Sequence, residues 1–191
     1  MSGSGTTGAP WRILAVCTAN MCRSPMAEAL IRQHLSEAGV AAEVSSAGLL
    51  EPGHGAAPEV VELLSERDLD ASGHLSRRLS RALIEDADLV LAMARDHLRE
   101  AVLLAPRAFG RVFTLKELVR RGEAAPPRPG MGREEWLTLV GAGRQPRKLL
   151  GSDGDDDIAD PIGGPLSEFR MTLAELDDLS ARLAALIAPL S

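Results

Sequence analysis

A chain of 191 residues, 45% hydrophobic and 25% charged, has room for one globular domain with a full core, which excludes disorder of its body. A formal net charge of −6 and the absence of tyrosine argue against a nucleic-acid surface, which wants a basic excess and stacking aromatics. The longest apolar runs, such as "LVLAMA" at Leu89–Ala94, are too short to span a bilayer, and "MSGSGTTGAP" lacks the basic start and apolar stretch of a secretory signal, so a cytoplasmic protein with no membrane contact is expected.

Residues 1–10 read as a flexible tail. Its "GSGTTG" spells G-x-G-x-x-G but precedes the first strand instead of following it, so a dinucleotide reading fails. Trp11–Val16 suits a buried parallel strand, and Pro25–Gly39 a helix with proline in its first turn and glycine at its end. Ala42–Ala47 is the second strand. Pro58–Arg67 and Ser80–Asp86 look helical, and Leu89–Ala94 is the third strand. Asp96–Leu104 forms a helix stopped by Pro106; Arg111–Leu115 is the fourth strand, with a short helix through Arg121 after it. "GEAAPPRPGMG" then breaks the alternation and opens a Pro/Gly-rich insertion at about 122–157, in which Glu134–Val140 makes a small helix carrying Trp136. A long amphipathic helix, about Ser167 to Ile187, closes the chain with Leu173, Leu176, Leu179, Leu183 and Leu186 along one face. The alternation predicts an α/β fold: an open four-stranded parallel sheet with helices on both faces, in one domain spanning 11–191. Three basic clusters (Arg77, Arg78 and Arg81; Arg120 and Arg121; Arg144, Arg147 and Lys148) read as solvated faces.

Both cysteines, Cys17 and Cys22, lie in the loop between the first strand and the first helix, where ligands bind in sheets of this kind. In a compartment that keeps thiols reduced, a lone close pair points to chemistry more than to stapling. A loop entering a helix presents unpaired backbone N–H groups and the positive end of the helix dipole, and so attracts an anion. Arg23 can add two parallel hydrogen bonds to a phosphoryl group. The same positive field favours a thiolate nucleophile at Cys17. The chemistry implied is attack of sulfur on phosphorus, giving a phosphocysteine intermediate. His34, His54, His74 and His97 are scattered and give no zinc spacing with the cysteines, so neither metal nor other cofactor is expected.

A leaving group on phosphorus needs a proton, and Asp160 in "DIADPIGGP" is the candidate donor. Asp-Pro sets a rigid turn, and Gly163 and Gly164 let the loop approach closely. Asp153, Asp155, Asp156 and Asp157 look like a solvated acidic loop; the twelfth position counted from Asp153 is Gly164, which rules out a calcium loop.

Taken together, "VCTANMCRSPMAEAL" (Val16–Leu30) and "ADP" (Ala159–Pro161) resemble the low-molecular-weight protein tyrosine phosphatases, and "VSSAG" (Val44–Gly48) and "SGHLSRRL" (Ser72–Leu79) match further blocks of that family. The resemblance implies Cys17 as nucleophile, Arg23 as phosphate clamp and Asp160 as general acid and then base. It implies a phosphate-binding loop of Thr18, Ala19, Asn20, Met21, Cys22 and Ser24, buttressed by Ser46 and His74, and phosphorylated proteins as substrates. It also implies that Cys22 can form a reversible disulfide with Cys17. "ADLVLAM", "VFTLKE" and "DPIGG" resemble the bacterial branch that includes protein-arginine phosphatases. Those enzymes resemble this loop with threonine where Met21 stands, and an apolar residue there favours phosphotyrosine. Yet Ile162 and Gly163 replace the aromatic pair that follows Asp-Pro in many tyrosine-specific members, so the resemblance implies phosphotyrosine or phosphoarginine as the substrate group. Ala19 stands where the family usually has glycine, which predicts a restricted backbone. An arsenate reductase of the same fold, using a small-molecule thiol, is the alternative that the loop leaves open.

Overall fold

The computed structural model describes residues 9–145 and 154–190. Most of the expected tail, together with Arg147, Lys148 and Asp153, lies outside the described residues. Strand β1 (Trp11–Cys17) is central. It pairs in parallel with β2 (Ala42–Gly48), from Trp11 opposite Ala42 to Cys17 opposite Gly48. On its other side it pairs with β3 (Leu89–Ala92), which pairs with β4 (Val112–Thr114). The order is β2-β1-β3-β4, all parallel, as the alternation predicts.

The two-residue period of a strand divides β1 between two cores. Trp11, Ile13, Ala15 and Cys17 enter the larger one, beneath α1 (Arg23–Glu37), α2 (Pro58–Ser65), α5 (Leu115–Ala124), α6 (Arg133–Gly141) and α7 (Leu166–Ile187). Leu14 and Val16 enter the smaller one, against α3 (Arg81–Asp86) and α4 (Arg95–Leu104). Burial on both faces is why these strands read as unbroken apolar runs. The five leucines expected on one face of α7 are all buried. Trp136 of α6 is buried too, its indole N–H donating to the Ala125 carbonyl at 3.1 Å. Gly122 lets α5, α6 and α7 meet there: a Cβ would fall 2.7 Å from Leu186 Cδ1 and 3.0 Å from Trp136. No helix among the described residues is long and apolar enough to cross a membrane.

Three expectations are corrected. β3 stops at Ala92, two residues early, because the Met93 carbonyl accepts the Ile158 N–H at 2.8 Å and Ala94 caps α4. Arg144 is not on a solvated face. It is buried between the rings of Phe113 (4.0 Å) and Phe109 (4.5 Å), bonds the Phe109 and Val112 carbonyls, and pairs with Glu117. Arg77 likewise turns inward, its Nε donating to the Ser46 carbonyl at 2.6 Å. The acidic stretch is only partly solvated: Asp156 pairs with Arg120, and Asp157 Oδ1 accepts the first N–H of α4, from Arg95, at 2.7 Å.

Candidate active site

The chain runs from β1 to one neighbour, β2, and later to the other, β3. The reversal opens a crevice at the carboxyl end of β1, where ligands bind in open α/β sheets. Cys17 is the last residue of β1 and Arg23 the first of α1, so the loop between them sits in that crevice. Its backbone is pinned from outside. The Thr18 carbonyl accepts the N–H groups of Leu49 (2.6 Å) and Leu50 (3.1 Å), and the Met21 carbonyl that of Ala57 (2.8 Å). Gly48 makes this approach possible: a Cβ there would lie 2.7 to 2.8 Å from the backbone of Thr18, Ala19 and Asn20. The left-handed residue is Asn20, at φ +56°, whereas Ala19 has no positive φ. Alanine at 19 therefore does not restrict the loop in the way expected, and asparagine tolerates the conformation at 20.

Asn20 is held at every polar atom of its side chain and at its carbonyl. Its Nδ2 donates to Ser24 Oγ (2.9 Å) and Ser46 Oγ (2.8 Å), and its Oδ1 accepts the Arg77 N–H (3.0 Å). Its carbonyl accepts from His74 Nε2 at 2.7 Å. Ser24 Oγ is 3.0 Å from Cys17 Sγ. Because Asn20 already donates to that oxygen, the serine hydrogen is free to point at the sulfur. Ser46 passes its own hydrogen to Glu28 Oε2 at 2.6 Å. Glu28 was not among the expected site residues, although it lies four positions after Ser24 on the same helix face. Cys22 is buried beneath the loop, and burial, then the charge of Asp160, pushes its thiol up. Both cysteines are free thiols.

Asp160 arrives over the loop from 143 residues beyond Cys17 in the sequence. The preceding strap is fastened by Ile158 N–H to Met93 O (2.8 Å) and by Lys116 Nζ to Asp157 O (2.6 Å). Arg23, itself buried, donates Nη1 to Ile158 O (3.1 Å) and Nη2 to Thr18 Oγ1 (3.2 Å), and Nη2 also pairs with Asp160 Oδ2. Its Nε is buried with no hydrogen-bond partner among the described residues. Asp160 remains 41% exposed, able to meet a substrate from solvent, and its Oδ1 accepts the Ile162 N–H at 3.3 Å. His97, on α4, is a further residue not expected at the site: its Nε2 is 2.9 Å from Thr18 Oγ1. Burial, then the nearby Arg23 charge, pushes the imidazole down from its ordinary 6.5 to about 4. Among the described residues, no group of three or more His, Cys, Asp and Glu side chains is placed to hold a metal ion.

The family model for low molecular weight phosphotyrosine protein phosphatase matches residues 12–129. The chain belongs to that family. It is a cysteine-dependent phosphatase of low molecular weight, and similarity to solved members extends past the matched segment. A protein-arginine-phosphatase of Bacillus subtilis (strain 168) is 36% identical over 90% of this chain and 93% of its own. The low molecular weight protein-tyrosine-phosphatase Wzb of Escherichia coli (strain K12) is 39% identical over 53% of this chain and 67% of its own. A solved cysteine-to-serine mutant of the YwlE arginine phosphatase, carrying a phosphorylated active site serine, superposes with a TM-score of 0.70 at 33% identity, covering 92% of this chain and 95% of that one. For this phosphatase the expected loop, buttress and Asp160 all converge on one crevice.

Two measurements check this geometry. Gly48→Ala drives a methyl into the backbone of the loop, so affinity for inorganic phosphate should fall at least tenfold while the fold persists; unchanged affinity contradicts the close approach. The folded state keeps His97 neutral, whereas the unfolded chain protonates it near 6.5, so the unfolded state binds more protons between the two values. Stability should therefore be intact above pH 6.5 and decline as pH falls toward 4, by on the order of 3 kcal/mol. Urea denaturation of wild type and His97→Gln across that window isolates the effect, which should be missing in the variant.

Proposed function

We propose that this phosphatase hydrolyses phosphorylated protein side chains through a phosphocysteine on Cys17. The observation that carries the reading is Arg23, buried beside the loop with Nε unpartnered and Nη2 shared between Thr18 and Asp160. A phosphoryl group takes Nε and the inward loop amides, competes with Asp160 for Nη2, and frees that carboxyl to face the leaving group. The Cys17 sulfur forms a bond to phosphorus as the bond to the leaving oxygen or nitrogen breaks, and Asp160 supplies the proton. Asp160 then takes a proton from the water that attacks phosphocysteine, releasing phosphate and the Cys17 thiolate. Ser24, donating to the sulfur, stabilises it as a leaving group. The serine phosphorylated in the YwlE mutant supports assigning the nucleophile to Cys17.

The side chain served is phosphotyrosine. Met21 is apolar, and Leu50 and Ile162 stand more than half exposed on segments bonded to Thr18 and Asp160, an apolar rim suited to a phenyl ring. Phosphoarginine is the second reading, supported by similarity to arginine phosphatases over nine-tenths of the chain. The Cys17–Cys22 disulfide expected from the resemblance stays part of the proposal. The high position of the Cys22 thiol makes it a slow partner for oxidised Cys17.

Values of kcat/KM on matched phosphotyrosine and phosphoarginine peptides test the reading, with Cys17→Ser as blank. Turnover should favour phosphotyrosine, vanish in Cys17→Ser, and lose roughly a hundred- to ten-thousandfold in kcat in Asp160→Asn. Preference for phosphoarginine overturns the role of the apolar rim. Turnover of neither peptide, with reduction of arsenate when a small thiol is supplied, overturns the phosphatase reading in favour of arsenate chemistry.

A further inference from the structure

We propose that His97 is a positioning residue for the phosphate loop: it orients the Thr18 hydroxyl so that its oxygen steadies Arg23 and its hydrogen is left for the phosphoryl group. This rests on the reading of the loop as a phosphate site; it adds His97 to that site's machinery and gives the Thr18 hydroxyl a defined role in it. Thr18 Oγ1 lies between Arg23 Nη2 (3.2 Å) and His97 Nε2 (2.9 Å). A guanidinium can only donate, so the oxygen accepts from Arg23. The direction of the second bond depends on which ring nitrogen of His97 carries the hydrogen, and the surroundings choose.

His97 Nδ1 is buried and has no hydrogen-bond partner among the described residues. If Thr18 donated to Nε2, the ring hydrogen would sit on Nδ1 as a buried orphan donor. If Nε2 donates to Thr18, the orphan is a bare acceptor, and buried acceptors are left unpaired more readily than buried N–H groups. The second arrangement is therefore preferred. Thr18 Oγ1 then accepts twice, from Arg23 and from His97, and its own hydrogen is committed to neither. The nearest claimant is an oxygen of the anion that Arg23 holds. Burial, then the Arg23 charge, keeps the imidazole neutral against Asp160 and Asp96, so the choice is between two neutral tautomers.

The effect is local to the crevice, since His97 belongs to the first turn of α4, which begins two residues after the Met93 carbonyl that anchors the Asp160 strap. Thr18, Arg23, His97 and the strap are thus one hydrogen-bonded unit around the phosphate position.

Long-range nitrogen NMR on the imidazole tests the tautomer without any turnover. The hydrogen should be found on Nε2; a hydrogen on Nδ1 overturns the proposal. The second arm measures inorganic phosphate affinity and aryl phosphate kcat/KM in Thr18→Val, His97→Leu, His97→Gln and the Val–Leu double variant. Thr18→Val and His97→Leu should each lose roughly ten- to a hundredfold in both, the range for a hydrogen bond to a charged group. The double variant should be no worse than either single one, and His97→Gln, which keeps a donor near the Nε2 position, should recover most of the loss. Losses that multiply in the double variant, or a glutamine variant as poor as leucine, overturn it. If His97→Leu does not fold, Thr18→Val carries the affinity test, and undiminished phosphate affinity there overturns the proposal. A wild-type protein that binds phosphate and shows the Nε2 tautomer yet turns over no phosphorylated substrate would refute the phosphatase reading alone.

Discussion

Everything at this site depends on one left-handed residue. A five-residue loop from the end of β1 to the start of α1 must curl so that its N–H groups face a common centre, and Asn20 at φ +56° makes that turn. A left-handed conformation in a non-glycine residue persists only when the surroundings over-determine it. Here they do, through two serines, the Arg77 N–H and His74, all converging on one side chain and its carbonyl. The loop is therefore shaped before any ligand arrives, so binding energy is not spent on ordering it.

The second constraint is charge. A buried guanidinium is costly unless its donors are met; Arg23 meets those of Nη1 and Nη2 with the Ile158 carbonyl, Thr18 and Asp160, and only Nε is left without a partner among the described residues. The same contacts bring the carboxyl-terminal strap over the loop, so Asp160, the proposed general acid, is located by Arg23, the proposed phosphate clamp. Strap and loop do not depend on Arg23 alone: Asp157 caps α4, and Lys116 and Met93 hold the backbone on either side. Partnering a buried charge and gathering loop and strap into one crevice are here the same event.

Much of this was readable in the sequence, for physical reasons. Doubly buried strands are apolar runs, so β1 to β4 stood out, and the leucine spacing announced α7. Cys17, Arg23 and Asp160 were visible because each sits in a short rigid context: a strand end, a helix start and an Asp-Pro turn. What stayed hidden depends on distant partners. Glu28 and His97 look like ordinary helix residues until Ser46 and Thr18 are brought against them. Arg144 and Arg77 look like surface cations until two phenylalanines, Glu117 and a strand carbonyl surround them. The strain expected at Ala19 is absent because the left-handed conformation of this loop falls on Asn20.

The most direct test of the central claim is to find the phosphoryl group on sulfur. Asp160→Asn should slow hydrolysis of the intermediate, so acid-quenching that variant during turnover of an aryl phosphate and analysing its peptides by mass spectrometry reads out the attachment site. A single added phosphoryl group on the peptide bearing Cys17, lost in Cys17→Ser, is the predicted result. A phosphoryl group on another residue, or none during a measured burst of product, would contradict the account.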